Sequence, residues 1–156
     1  MERTNTKADL LVVEEIQLVY KSKIKASERP QITNSEDAYH LLCKCWDEGK
    51  IEFIEEFKVL LLNRANKVLS LFEVSTGGVT GTVADPRVIL VAALKRNAVA
   101  MILSHNHPSG NLKPSRADEE LTTKIKNAAA FHDMKILDHL IVSPEGYYSF
   151  ADEGLL

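Results

Sequence analysis

Two histidines stand two residues apart in Ser104-His105-Asn106-His107-Pro108-Ser109-Gly110, and an aspartate, Asp118, follows within one short loop and helix start. Imidazole nitrogens and a carboxylate oxygen are donors that zinc accepts. Three protein ligands with a fourth position left to water make up a catalytic zinc site. The spacing suits that use, because residues two apart on a strand point to the same side, so His105 and His107 can aim two rings at one point. The apolar run Ala98 to Leu103 reads as a buried strand ending at His105. Pro108, Gly110 and Pro114 then break regular structure, and Ser115 opens a helical pattern with Asp118 in its first turn.

Each part also has a plainer reading. Many strands carry two histidines without binding metal. Ser115-x-x-Asp118 is a helix capping box in its own right, and taken separately that reading is the stronger one. The two uses are compatible, since Ser115 can cap the helix and still aim its hydroxyl into a site. Co-occurrence adds weight: two in-phase histidines, a rigid turn, a helix-start carboxylate and a glutamate on an upstream strand. That glutamate is Glu55. Ile54 to Leu62 reads as a strand with Glu55, Phe57, Val59 and Leu61 on one face and Ile54, Glu56, Lys58, Leu60 and Leu62 on the other. The first face is apolar except for Glu55, whereas the second, carrying Lys58, is expected to meet solvent. A carboxylate in phase with a core face is costly unless it has a partner, which makes Glu55 the odd residue and Glu56 the ordinary one. The competing reading leaves Glu55 solvated at the strand's open end.

These residues need elements to hold them. Leu11 to Tyr20 reads as a first strand, and Lys21 to Gln31 as a linker. Thr33 and Glu36 have capping-box spacing, and Ala38, Leu41, Leu42, Cys45 and Trp46 recur at helical intervals until Gly49. Asn63-Arg64-Ala65-Asn66 turns the chain into a second strand, Lys67 to Ser75, forming a hairpin. Thr76 to Thr82 is glycine-rich without the lysine of a phosphate-binding loop, and reads as a flexible connection or edge loop. Asp85-Pro86 starts an apolar helix expected to pack closely on a sheet. A helix through about Phe131, a strand from Lys135 to Val142, a turn at Ser143 to Gly146 and a short last strand complete the chain. The expected fold is therefore α/β: a mixed β-sheet packed by helices in a single domain.

Composition bounds the rest. The 156 residues suffice for one domain with a proper core. A formal net charge of −3 gives no general pull toward nucleic acid or an anionic membrane. No stretch is long enough to span a membrane, and no signal-peptide pattern starts the chain, so a cytoplasmic protein is expected. Cys43 and Cys45 lie roughly 200° apart around a helix, at 3.6 residues per turn, and read as buried or half-buried thiols. His139 reads as structural or as a support behind the site. His132 falls near a helix C-terminus, while His40, Arg87 and Lys95 read as ordinary helix surface.

The run His105-x-His107-x7-Ser115-x2-Asp118, with an upstream glutamate, resembles the JAMM (MPN+) metalloprotease motif. Glu55-x-Phe57 with Val59 to Leu62, the segment Ser104 to Gly110, and Leu137-Asp138-His139 resemble its RadC branch over roughly residues 33 to 156. Asn106 departs from the serine or threonine of eukaryotic JAMM enzymes and matches RadC-like sequences. Typical RadC proteins carry a helix-hairpin-helix region ahead of this domain. The segment 1–32 is too short for one, so a lone catalytic-type domain is expected.

The resemblance implies a cytidine-deaminase-like fold and a hydrolase cutting a peptide or isopeptide bond in a peptide or protein substrate. One Zn²⁺ per chain, on His105, His107 and Asp118, would lower the pKa of its water to about 7. Glu55 would move the water's proton to the leaving amine, and Ser115 would steady the oxyanion. Should Glu55 prove dispensable, Glu56 is next in line for the base. A nucleobase deaminase needs H-x-E and P-C-x-x-C, and a common zincin needs H-E-x-x-H; all are missing. The letters His-Asn-His match a nuclease label only by coincidence. A DNA-repair-associated module binding nucleic acid or a repair partner is the alternative, without support from net charge. A metal-binding scaffold without turnover is a third. Exposed strand edges make a homodimer an expectation.

Overall fold

Asn34 starts the first helix: its side chain accepts the backbone N–H of Asp37, one of the donors that a helix start leaves open. The cap is thus one residue later than the Thr33 spacing predicts, because Thr33 instead bonds the Asp37 carboxylate through its N–H and hydroxyl. The computed structural model describes residues 16–78 and 83–156. Helix α1 covers Ser35–Cys45, ending four residues before Gly49. After it come strands β1, Glu56–Leu62, and β2, Val68–Thr76, then helix α2, Pro86–Lys95. Strand β3, Ala100–Asn106, leads to helix α3, Arg116–Ala130, and to strands β4, Lys135–Ser143, and β5, Gly146–Ser149. A 3₁₀ turn, Ala26–Glu28, lies in the expected linker. Residues 11–15 of the expected first strand lie outside the described residues, and residues 16–20 form no strand.

The strands form one sheet in the order β2-β1-β3-β4-β5. Hairpins β1–β2 and β4–β5 are antiparallel, β1–β3 is antiparallel and β3–β4 is parallel, so the sheet is mixed as the alternation of elements implies. The one parallel pair needs a crossover, and α3 supplies it. Packing occurs on both faces. On one, Ala38, Leu42 and Trp46 of the α1 segment meet Leu60, Leu62, Ile102, Leu140 and Val142. On the other, Ile89 and Ala93 of α2 and Ile125 and Ala129 of α3 meet Phe57, Val59, Leu61, Met101 and Leu103. Each fully buried Leu or Ile contributes about 1.5–3 kcal/mol of apolar transfer.

This double covering corrects one expectation. All seven residues of β1 are buried, including Glu56 and Lys58, because α1 closes the face that Lys58 had suggested was wet. Helix α2 packs on the sheet as expected, through Ile89 and Ala93, while Val88, Val91 and Leu94 stay exposed. Strand β3 begins two residues later than expected and runs through His105 to Asn106, so the first histidine lies inside the sheet. The glycine-rich connection is described only at its start, where Gly77 and Gly78 continue the pairing beside Glu55; residues 79–82 lie outside the described residues.

Candidate metal centre

Register places the histidines. His105 pairs with Phe57 of β1 and Ile141 of β4 at the end of β3, and its side chain points to the α3 side of the sheet. His107 is the next residue in phase, just past the strand. Asp118 comes from the first turn of α3, which the crossover lays over the same strand end. The three groups converge. His105 Nε2 lies 3.0 Å from His107 Nε2 and 3.3 Å from Asp118 Oδ1, and His107 Nε2 lies 3.6 Å from Asp118 Oδ2. Ligands at about 2.0–2.1 Å around a tetrahedral zinc are separated by about 3.3 Å, so these spacings fit the edges of such a polyhedron.

The tautomers follow from the hydrogen bonds behind the rings. His107 Nδ1 lies 2.6 Å from the Asn111 carbonyl, which can only accept, so in the neutral ring Nδ1 carries the proton and Nε2 a lone pair. His105 is settled one step further back. The Thr122 hydroxyl donates to the Asp118 carbonyl at 2.6 Å, which leaves its oxygen to accept from His139 Nδ1 at 2.6 Å. Burial, then the neighbouring His105, hold His139 well below the ordinary histidine pKa, so it is neutral and its Nε2 can only accept. That Nε2 lies 2.8 Å from His105 Nδ1, which must therefore donate, leaving a lone pair on His105 Nε2 as well. Two lone pairs 3.0 Å apart repel unless a cation lies between them. Asp118 brings negative charge to the same point.

Asp118 is held by the structure that caps α3. Its Oδ2 accepts from the Ser115 backbone N–H and hydroxyl, both at 2.7 Å, while Ser115 Oγ accepts the Asp118 N–H at 3.1 Å. The carboxylate that completes the capping box is also the one that faces the two histidines. Burial works against ionisation of Asp118, yet in the metal-free chain, where a proton on Nε2 takes the place of a cation, hydrogen bonds from His105 and His107 prevail and keep it far below the usual carboxylate range. His107 is raised, first by its hydrogen bond to Asp118 and against the cost of burial, with the Asn111 carbonyl and the charges of Asp118 and Glu55 adding to it. Phe57 stacks parallel to His105 at 5.9 Å and Phe150 stacks on His139 at 4.6 Å, so the supporting rings sit in an apolar wall.

The two glutamates separate. Glu55 is half-buried, in phase with Phe57 and close enough to the site for its charge to act on His107. Glu56 points to the α1 side, where it is wholly buried with Lys58 at 3.3 Å and Lys50 at 3.5 Å. It cannot reach the histidines, and its place as fallback base is withdrawn. Glu56 is also the costlier residue of the two, reversing the sequence reading.

His139 takes the supporting place expected of it. Thr122 and Asn111 were not anticipated. Thr122 is four residues past Asp118, one turn along α3, and that spacing is its only signal; Asn111 contributes a backbone carbonyl, which no residue type announces. His40 and His132 are exposed, and Cys43 and Cys45 are free thiols, half-buried and exposed respectively. Among the described residues, His105, His107 and Asp118 are the group able to hold a metal ion, and no helix is long and apolar enough to cross a membrane.

A family model described as "RadC-like JAB domain" matches residues 32–155. A UPF0758 protein of Flavobacterium johnsoniae is 47% identical over 125 residues, covering 80% of this chain and 53% of that relative. A UPF0758 protein of Porphyromonas gingivalis is 42% identical over 138 residues, covering 86% of this chain and 60% of the relative. The chain thus spans about half the length of the curated relatives it matches. With a mixed sheet between helices and a histidine pair facing a helix-start aspartate, it belongs to the RadC-like JAB domain family.

Proposed function

We propose that the chain is a zinc-dependent hydrolase of peptide or isopeptide bonds, with one Zn²⁺ held by His105, His107 and Asp118. The observation that carries this reading is the pair of converging Nε2 lone pairs 3.0 Å apart beside the Asp118 carboxylate, a donor set and spacing that suit a tetrahedral divalent cation. Zinc held there supplies a Lewis acid that polarises a carbonyl and brings the pKa of water toward about 7.

The chain's own residues do the remainder. Glu55 takes a proton from the attacking water and returns it to the leaving amine, the two halves of general base and acid work by one carboxylate. Its half-buried position favours this, since a fully buried carboxylate could not meet substrate. Ser115 first orients Asp118 through its hydroxyl; turned off Oδ2, the same hydroxyl donates to the oxygen on which charge develops. Thr122 and His139 keep the His105 lone pair directed at the site.

Elemental analysis of the purified chain tests the metal, beside His107→Ala and Asp118→Ala. Zinc near one per chain, lost in both variants, is expected, followed by cleavage in a screen of peptide and isopeptide-linked substrates. Zinc that is absent and cannot be restored by reconstitution overturns the reading. A zinc-loaded chain that cuts none of them but binds DNA with an affinity falling steeply as salt rises favours the repair-associated alternative.

A further inference from the structure

Between the two histidines stands Asn106, fully buried, with its side chain on the opposite side of the sheet from theirs. The β1–β3 ladder ends at Phe57 and His105, and the Asn106 side chain continues it across the gap. Its Oδ1 accepts the Glu56 N–H at 2.8 Å, and its Nδ2 donates to the Ile54 carbonyl at 2.8 Å and to the Ile51 carbonyl at 2.7 Å. Both amide protons and the amide oxygen are used.

The bonded atoms bracket one residue. The Ile54 carbonyl belongs to the peptide unit before Glu55, and the Glu56 N–H to the unit after it. The other polar atoms of those two units are bonded from the far side, the Glu55 N–H to the Gly78 carbonyl at 3.1 Å and the Glu55 carbonyl to the Gly77 N–H at 2.8 Å. With both peptide planes held at both ends, φ and ψ of Glu55 are set, and so is the direction in which its side chain leaves the backbone. Glu56, ion-paired to Lys50 and Lys58 on the α1 side, anchors the following residue as well.

We infer that Asn106 is a positioning residue that clamps the two peptide units flanking Glu55, tying the carboxylate to the strand that carries the metal ligands. The inference rests on the proposed role of Glu55. It gives the residue between the histidines a physical requirement: one acceptor and two donors on a short planar group. Serine or threonine supplies a single donor, and aspartate would turn an oxygen toward two carbonyls.

Co²⁺ is the probe, because its visible spectrum responds to what borders the open coordination position. The full chain is compared with Glu55→Gln, Asn106→Ser and Asn106→Asp for Co²⁺ affinity, visible bands and amide exchange. Glu55→Gln is expected to alter the bands with affinity nearly unchanged. At least one Asn106 variant should bind Co²⁺ within about threefold of the parent and show the same altered bands. Its Glu55 and Glu56 amides should exchange at least tenfold faster while those of β4 keep their rates. Parent-like bands in the Asn106 variants beside altered bands in Glu55→Gln overturn this proposal alone. General acceleration of exchange with loss of Co²⁺, or failure of both variants to fold, marks Asn106 as merely structural and also overturns it. Unaltered bands in Glu55→Gln overturn the role of Glu55 and this inference with it, and a parent chain that binds no Co²⁺ overturns the proposed function as a whole.

Discussion

Glu55 and Glu56 are neighbours of identical chemistry in opposite surroundings. Glu55 is in phase with Phe57, near enough to His107 for its charge to act there, and keeps contact with solvent; Glu56 faces α1 and lies wholly buried between two lysines. Its carboxylate oxygens have ion-pair partners but no hydrogen bonds, and Lys58 in turn also pairs with Glu73 at 2.9 Å and lies over the Trp46 ring. A buried pair of this kind adds little net stability over apolar packing, but removing one partner strands the other charge. The start of β1 thus leaves one carboxylate half-buried on the histidine side and fixes its neighbour as an anchor. Which is which depends on what covers each face.

That contrast can be broken by exchanging the two defects. Glu55→Gln should lower turnover on any substrate found by at least about 100-fold with zinc content and unfolding midpoint near the parent's, as expected on losing a general base. Glu56→Ala should act mainly on stability, costing about 3–5 kcal/mol in denaturant unfolding, while turnover by the folded fraction falls far less than in Glu55→Gln. Equal stability losses in the two variants, with no difference in rate, would erase the distinction drawn between the faces.

Thr122→Val tests the support behind the ligands. It removes the oxygen that accepts from His139 Nδ1, freeing His139 and hence His105 to take the wrong tautomer. Zinc affinity should fall by about 10- to 100-fold, the usual consequence of losing such an outer partner. Unchanged affinity in a competition titration would mean that the His139 relay does not direct His105. Ser115→Ala is a smaller perturbation: about 1 kcal/mol from the lost cap, measured by denaturation, together with weaker zinc retention as Asp118 loses a donor.

The last effect concerns pH. In the metal-free chain the His107 pKa is raised, so its pairing with Asp118 stabilises the fold fully below the unfolded histidine value of 6.5 and is lost as pH rises through the folded value. Asp118 is depressed, so its contribution is present above its unfolded value of 3.8 and persists well into acid. Zinc requires the unprotonated imidazole and should shift the dependence the other way, stabilising more as pH rises from 5 to 8. Thermal melts of metal-free and zinc-loaded chain should therefore diverge with increasing pH. Parallel curves would show that His107 is no ligand.

The alternation of apolar strands and amphipathic helices, the hairpins and the α2 cap were legible because they depend on local periodicity and on single capping residues such as Asp85. The spacing of His105, His107, Ser115 and Asp118 was legible for the same reason: strand phase and a capping box are set by near neighbours in the chain. Burial on the second face of β1 was not, since Glu56 and Lys58 look solvent-facing until α1 and Glu73, distant in sequence, close over them. The tautomer relay through His139 and Thr122, and the Asn106 clamp around Glu55, likewise join groups far apart in the chain. Sequence by itself determined which side chains could bind a metal and the local elements that carry them. Only the tertiary structure decided which lone pairs meet, which glutamate lies half-buried on the histidine side and what holds it, because those depend on which distant groups fold against one another and remove each other's water.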